Sequence, residues 1–442
     1  MSVSVENLQR AVEDTFGPPS SSSSLSGDKC RNILQGFQQR MCNELLQMKK
    51  DVLSDDEAFY QLGKQLQGVN VLSYEDYLER KNADSCPPSL RKHFTPRNFL
   101  SLARDENGCI GREDFLRFVQ RTIDVEAVTV GLLRHTVCDE DIAAAVSEDS
   151  EGSWSVNGLS GKDGNLGFIT EQELERFIFE LIPSIPGCRE LDIRFYPFYV
   201  YTASRYFLFY LDPRRTKRIN IRRLSHSYVM EELLYFKRIS QFENDMSPTT
   251  FASQVGNNWF DGKNAEMLYN TYVDLDTDGN GTLSQEELFQ FGGIRESESV
   301  QLSHTVIRRI FEENISYQPV ELDYKGFIDL VIALDNKRSK ESMAYFWRLL
   351  DVNKTGRLGP EIISLFYRDI HESLRSNGYD APSPSNVAVE VYDLLGCEDP
   401  RGPSFKELVA SGQGHVAISM LIDETGFWQY DNRESNMAQS VP

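Results

Sequence analysis

Twelve consecutive residues, 276–287, constrain the fold of this chain more than any other stretch. Oxygen-bearing side chains stand at positions 1, 3 and 5, a glycine stands at position 6, and a glutamate closes the stretch at position 12. Position 7 adds a backbone carbonyl, and position 9 adds a hydroxyl. This spacing is that of a calcium-binding EF-hand loop, and the expected ligands are Asp276, Asp278, Asn280, Thr282, Ser284 and Glu287.

The residues on both sides of this loop predict a helix-loop-helix unit. Apolar residues recur at helical spacing before and after the loop, which indicates an entering and an exiting helix. Leu283, at position 8, is expected to pair with Leu322 of a second loop that carries no ligands. Helices are predicted around that second loop over residues 306–313 and 327–334.

Weaker copies of the same spacing recur along the chain. Ala103 replaces the first ligand in residues 103–114, three ligand positions are empty in residues 162–173, and Ile362 replaces the closing glutamate in residues 351–362. We expect weak or no calcium binding at these loops. The recurrence predicts an all-α fold, an elongated tandem array of EF-hand-like helix-loop-helix units with short two-stranded ribbons between paired loops.

A fourth copy, residues 212–223, carries six basic residues in twelve, and it is not expected to bind a cation. The whole chain has a formal net charge of −21. This basic run is therefore either a solvated face or a docking point for an acidic surface, and both interpretations stay open. The preceding residues 195–210 predict a helix that is aromatic nearly all round, buried either inside the core or against a partner.

Composition indicates an intracellular protein. No stretch approaches the roughly 18 apolar residues that span a bilayer, and the first residues lack the pattern of a signal peptide. The seven cysteines are scattered and are expected to be reduced, with neither disulfides nor a zinc site. The negative charge disfavours nucleic acids and anionic membranes as partners.

The chain divides into five expected regions. They are a flexible N-terminus (1–27), a helical region with two degenerate loops and an acidic insertion near 139–161 (28–190), a central domain with the calcium loop (191–340), a degenerate C-terminal domain (341–434) and a tail (435–442).

Several motifs occur in a fixed order from about residue 70 to residue 434. They are Phe195-Tyr-x-Phe-Tyr, Phe207-x-Phe-Tyr-Leu-Asp-Pro213, Asn258-Trp-Phe260, the calcium loop, Ala333-Leu-Asp-Asn336 and Gly426-Phe-Trp with Asn432-Arg-Glu434. In this order they resemble the B-double-prime regulatory subunits of serine/threonine protein phosphatase 2A. The resemblance is strongest to the gamma branch, which includes the plant subunits that organise cortical microtubules.

The resemblance implies a non-catalytic subunit that docks on the HEAT-repeat scaffold subunit and positions the catalytic subunit, with calcium bound by residues 276–287. It also implies a cytoplasmic location at the cytoskeleton, centrosome or basal body, with the nucleus as an alternative. Centrosomal or microtubule-associated proteins are the further partners that it implies. A second interpretation is a free calcium sensor that binds target helices. Independent catalysis is disfavoured, because the six histidines are dispersed and no nucleophile motif is evident.

Overall fold

The computed structural model describes residues 27–83, 86, 88–135, 167–188, 190–239, 258–293, 300–313 and 321–433. The expectations for residues 1–26, for the insertion near 139–161 and for the tail at 435–442 lie outside these ranges. The described chain is mostly helical, with two small two-stranded sheets. This confirms the predicted all-α class. Within the described part, no helix combines the length and apolar character needed to cross a bilayer.

The N-terminal half of the described chain contains eight α-helices and four short strands. In chain order they are α1 (Gly27–Gln65), β1 (Val71–Leu72), α2 (Tyr74–Asn82), α3 (Pro96–Ser101), β2 (Ile110–Gly111), α4 (Arg112–His135), β3 (Phe168–Thr170), α5 (Glu171–Leu181), α6 (Tyr196–Leu211), β4 (Arg218–Asn220), α7 (Ile221–Ser225) and α8 (Tyr228–Ile239).

The C-terminal half of the described chain contains ten α-helices. They are α9 (Gly262–Leu275), α10 (Gln285–Leu288), α11 (His304–Glu313), α12 (Tyr324–Asp335), α13 (Lys340–Leu350), α14 (Pro360–Ser376), α15 (Pro384–Leu395), α16 (Phe405–Ala410), α17 (Gly414–Ile422) and α18 (Glu424–Asp431).

The chain folds into two units. The first comprises residues 1–177 and 218–234, and the second comprises residues 178–217 and 235–442. The domain limits expected from the sequence, at 190 and 340, stay predictions. In the first unit, Tyr77 lies at the centre of an aromatic cluster, with ring centroids 4.9 Å from Phe94 and 5.3 Å from Phe115. The Tyr77 hydroxyl donates to the His93 carbonyl at 2.8 Å, so this buried polar group is satisfied.

The first unit joins its loops through two antiparallel ribbons. Strands β1 and β2 pair Leu72 with Ile110, and strands β3 and β4 pair Ile169 with Ile219. All four side chains are buried. Three of them stand at position 8 of the degenerate loops, so ligand loss has left the pairing of the loops in place.

Helix α6 lies in the core of the second unit. Its Tyr199 and Phe207 are buried, and the Tyr199 hydroxyl donates to the Phe260 carbonyl at 2.9 Å. The Trp259 indole N–H donates to the Thr202 carbonyl, a buried oxygen of the same helix, at 3.2 Å. The aromatic character of α6 is therefore explained by internal packing, the first of the two interpretations that the sequence left open.

The second unit repeats the pairing of loops. Leu283 and Leu322 exchange two backbone hydrogen bonds of 2.9 Å each, as predicted. In the loop at 351–362, the Leu358 N–H donates to the Pro403 carbonyl at 3.0 Å, so this loop pairs with the segment that precedes α16. Among the described residues, each degenerate loop thus has a partner loop.

Candidate metal centre

The calcium loop begins where α9 ends, and its backbone turns around the first carboxylate. The Asp276 carboxylate accepts the Asn280 N–H at 3.1 Å and the Gly281 N–H at 2.9 Å. Gly281 has a φ of 85°, in the left-handed region that glycine enters without a steric cost. The glycine at position 6 therefore lets the chain make this turn without backbone strain.

Glu287 fixes the far end of the loop by capping helix α10. Its Oε2 atom accepts both the backbone N–H and the hydroxyl of Ser284 at 2.9 Å, while the Ser284 hydroxyl accepts the Glu287 N–H at 3.2 Å. This reciprocal pair is a capping box, which satisfies donors that the first turn of a helix leaves without partners.

The second oxygen of Glu287 reaches across the loop. Oε1 accepts the backbone N–H and the hydroxyl of Thr277, each at 2.8 Å, and the Asp278 N–H at 3.3 Å. The hydrogen bonds from Ser284 and Thr277 lower the pKa of Glu287 to about 2. The carboxylate is therefore ionised at neutral pH, as a calcium ligand must be.

The carboxylates of this loop fit the size of a calcium ion. One oxygen each from Asp276, Asp278 and Glu287 lie within 4.8 Å of one another. Oxygens that bind calcium stand about 2.3–2.6 Å from the ion, so two ligands on opposite sides are about 5 Å apart. Within the described ranges, this is the one group of three acidic, histidine or cysteine side chains with such spacing.

The other three expected ligands lie in the same loop. The Asn280 side-chain oxygen accepts the Thr282 N–H at 2.7 Å, and Ser284 lies at the start of helix α10. All six residues therefore belong to one short turn, and their assignment as calcium ligands stays a prediction.

Two further residues hold the loop in place and were not identified from the sequence. The Tyr272 hydroxyl donates to the Gly281 carbonyl at 3.0 Å and to the Leu322 carbonyl at 3.1 Å. The carboxylate of Glu321 accepts the Thr282 hydroxyl. The helical spacing before the loop predicts only an apolar role for Tyr272. Glu321 could have been found from the predicted pairing of the two loops, because it directly precedes the paired Leu322.

The loop at 351–362 keeps the turn but lacks the closing ligand. Asp351 accepts the Thr355 and Gly356 N–H groups, both at 2.9 Å, in the way that the first residue of the calcium loop does. Ile362 at position 12 is buried, so no carboxylate faces the turn from there. Weak or absent calcium binding at this loop stays a prediction.

The loop at 103–114 also keeps its turn through a carboxylate. Asp105 accepts the Asn107 N–H at 2.9 Å and the Cys109 N–H at 2.8 Å, and Gly108 has a φ of 77°. Its position 1 remains Ala103, which offers no oxygen ligand.

Comparison with known proteins identifies the family. No protein-family model matches the chain. It is 30% identical over 416 residues to the gamma member of the B'' regulatory subunits of serine/threonine-protein phosphatase 2A from mouse (Mus musculus), covering 92% of this chain and 82% of that protein. The human (Homo sapiens) protein of the same name is 31% identical over 369 residues, covering 83% of this chain and 72% of that protein.

Two more distant similarities accompany these. A probable B'' regulatory subunit of Arabidopsis thaliana, TON2, is 28% identical over 376 residues, covering 83% of this chain and 70% of that protein. A chain from a solved PP2A PR70 holoenzyme superposes with a TM-score of 0.49 at 17% identity, covering 58% of this chain and 91% of that one. On the strength of the gamma subunits, the chain belongs to the B'' regulatory subunits of serine/threonine-protein phosphatase 2A, as its sequence resemblance predicted.

Proposed function

We propose that this chain is a non-catalytic regulatory subunit that docks on the scaffold subunit of protein phosphatase 2A and directs the catalytic subunit to its substrates. The observation that carries the proposal is the similarity to the gamma subunits over most of both chains. A regulatory subunit acts by presenting a surface, and an array of paired helix-loop-helix units supplies such a surface without active-site chemistry of its own.

The state of the loops supports this role. The loops at 103–114 and 351–362 keep their turn and their pairing while lacking a full set of ligands, and the loop at 276–287 keeps the full set. A protein that switched as a calcium sensor would need calcium to move several units, whereas one site acts on one pair of loops. We therefore propose that calcium at residues 276–287 stiffens the second unit and tunes docking modestly.

Affinity purification tests the proposal. The tagged chain should recover the scaffold and catalytic subunits from cell extract, both with calcium and with a chelator, and mass spectrometry should identify them. Recovery of target peptides only with calcium, and never of the scaffold, would instead favour the free calcium sensor. The purified chain alone should hydrolyse no phosphoprotein substrate, and activity in the absence of any catalytic subunit would contradict the non-catalytic role.

The place of action is a separate proposal that rests on the resemblance to the gamma branch. We propose a cytoplasmic protein that meets centrosomal or microtubule-associated partners. A fluorescent fusion at native expression should then concentrate with a centrosome or microtubule marker. A diffuse signal that does not change when the microtubules are depolymerised would contradict this location.

A further inference from the structure

The basic loop after α6 keeps the turn of a calcium loop although it has no glycine. Asp212, at position 1, accepts the Lys217 N–H at 2.7 Å and the Thr216 hydroxyl at 3.0 Å. Arg215 and Lys217 have φ angles of 55° and 58°, and they stand at positions 4 and 6, where the calcium loop has its two glycines. Such strained positions persist only where the surroundings determine the backbone. The loop is therefore an ordered platform, and its residues 213–217 are exposed.

A second arginine from helix α13 meets this loop within the same unit. The guanidinium carbons of Arg215 and Arg348 each lie 5.8 Å from the ring centroid of Tyr345. Arg348 is half-buried, and burial together with the charge of Arg215 lowers the pKa of Arg348 to about 10. Two positive charges thus converge on one aromatic ring, and one of them has lost part of its hydration.

Two carboxylates whose charge acts on Arg348 are engaged by other arginines. Asp329 accepts two hydrogen bonds from Arg205, at 2.9 and 2.6 Å, and Glu313 forms an ion pair with Arg309 at 2.9 Å. In the described part of the chain, no carboxylate lies within 4.0 Å of the Arg348 guanidinium. Burying part of a cation is costly, and an anion that bound beside Arg348 would offset some of that cost.

The exposed cations of the loop extend this site. Arg214 and Lys217 are exposed, and across the described ranges neither forms an ion pair within 4.0 Å. Guanidinium groups match carboxylates in planar, two-point hydrogen bonding, which an ammonium group cannot provide. The chain as a whole is strongly negative, so a long polyanion such as RNA would be repelled outside this patch, whereas a short acidic segment would contact the patch alone.

We propose that Arg214, Lys217 and Arg348, the basic ledge, form a binding site for an acidic segment of a partner protein, with a carboxylate against Arg348 beside Tyr345. This selects the docking interpretation of the basic run over the solvated face. The inference goes beyond the proposed function, because it concerns a site on the isolated chain and needs no other component of the phosphatase.

A labelled octaglutamate peptide and the full-length chain test the proposal by fluorescence anisotropy in the presence of a calcium chelator, which prevents bridging by calcium. We expect saturable binding at low salt that is lost at about 0.3 M salt, because exposed charges are screened there. Arg348→Gln should weaken binding about tenfold, the size expected when a charged hydrogen-bond donor is lost. The double variant Arg214→Gln with Lys217→Gln should weaken it several-fold.

Arg375→Gln is the matched control, because Arg375 is an exposed arginine on helix α14 and lies outside the basic ledge. It should bind the peptide like the wild type. The double variant changes only exposed residues, so it decides the outcome if Arg348→Gln fails to fold by circular dichroism. Equal binding by the double variant and the wild type, no binding of the peptide at low salt, or tighter binding of an RNA oligonucleotide would each overturn the proposal.

Discussion

Replacing Glu287 by Gln separates the two roles of this side chain. The carboxylate closes the calcium loop at position 12, and its two oxygens also accept five hydrogen bonds, two from Ser284, two from Thr277 and one from Asp278. The amide keeps the size of the side chain but removes the charge and one of the acceptor oxygens. Calcium affinity and helix capping should therefore both fall, by amounts that can be worked out separately.

The loss of calcium affinity should be the larger effect. Changing a residue that only orients a metal ligand costs about 10–100-fold in affinity. Removing a direct ligand that supplies two oxygens should cost at least about 100-fold, which corresponds to about 2.7 kcal/mol. The loss of folding free energy without calcium should be about 1 kcal/mol, the usual value for a disrupted N-terminal cap.

Glu407→Gln is the matched control. Glu407 forms the same capping box at helix α16, accepting the Ser404 N–H at 2.7 Å and the Ser404 hydroxyl at 2.6 Å, but its loop offers no set of calcium ligands. Titration calorimetry should show tight calcium binding by this variant and not by Glu287→Gln. If Glu287→Gln bound calcium with wild-type affinity and stoichiometry, the site would lie elsewhere and the reasoning would be refuted.

The effect of Glu287→Gln on stability should also depend on pH. In the folded protein, hydrogen bonds from Ser284 and Thr277 lower the pKa of Glu287 from its ordinary 4.5 to about 2. A carboxylate whose pKa is lower in the folded protein stabilises the fold fully when the pH is above its pKa in the unfolded protein. This stabilisation is lost as the pH falls towards the pKa in the folded protein. Urea unfolding with a chelator should thus show a constant difference between wild type and variant from neutral pH to about pH 5. The difference should shrink on further acidification, and one that grew instead would contradict this assignment.

Three other substitutions test the packing of the second unit by urea unfolding. Tyr272→Phe removes the hydroxyl that donates to two loop carbonyls, so it should lower the free energy of unfolding by about 1–2 kcal/mol and weaken calcium binding several-fold. If stability and calcium affinity were both unchanged, the hydroxyl would be dispensable. Asp329→Asn removes the carboxylate that forms an ion pair with the largely buried Arg205, so a loss of about 3 kcal/mol is expected. An unchanged midpoint would argue against it. Lys354 has a φ of 52°, so Lys354→Gly should stabilise the protein by about 0.5 kcal/mol. This is the gain from relieved backbone strain minus the cost of the greater entropy of glycine in the unfolded chain. A destabilised variant would show that the lysine side chain makes a contact that the fold needs.

The register of the loops could be predicted because it follows from local spacing. The aliphatic residue at position 8 predicted the pairing of Leu283 with Leu322, and Ile169 and Ile219, at the same position of their loops, pair in the same way. These features are short-range consequences of the turn. They remain readable in a sequence after the ligands have been lost.

The first unit contains one loop that the sequence analysis missed. Strand β1, just before α2, pairs with the loop at 103–114, yet it follows no recognisable ligand pattern. Ser73 and Asp76 form a capping box there, with Ser73 accepting the Asp76 N–H at 3.1 Å. The same pattern of Ser or Thr followed three residues later by an acid recurs at Ser284 and Ser404. This spacing was the signal that could have identified the loop.

Other features depend on contacts that no local pattern contains. Lys217 takes a left-handed conformation where glycine is usual, so its sequence gives no sign of the turn. Arg215 and Arg348 are far apart in the chain and meet only because both pack against Tyr345. The basic residues alone leave both a solvated face and a docking point open, and the proposed docking site depends on Arg348 lying beside this loop.

Reconstitution tests the central claim most directly. The purified chain is mixed with a purified complex of the scaffold and catalytic subunits of protein phosphatase 2A and separated by size-exclusion chromatography with light scattering. The account predicts a complex that contains one copy of each of the three proteins, formed with calcium and, more weakly, with a chelator. Separate elution of the chain under both conditions would contradict its role as a regulatory subunit.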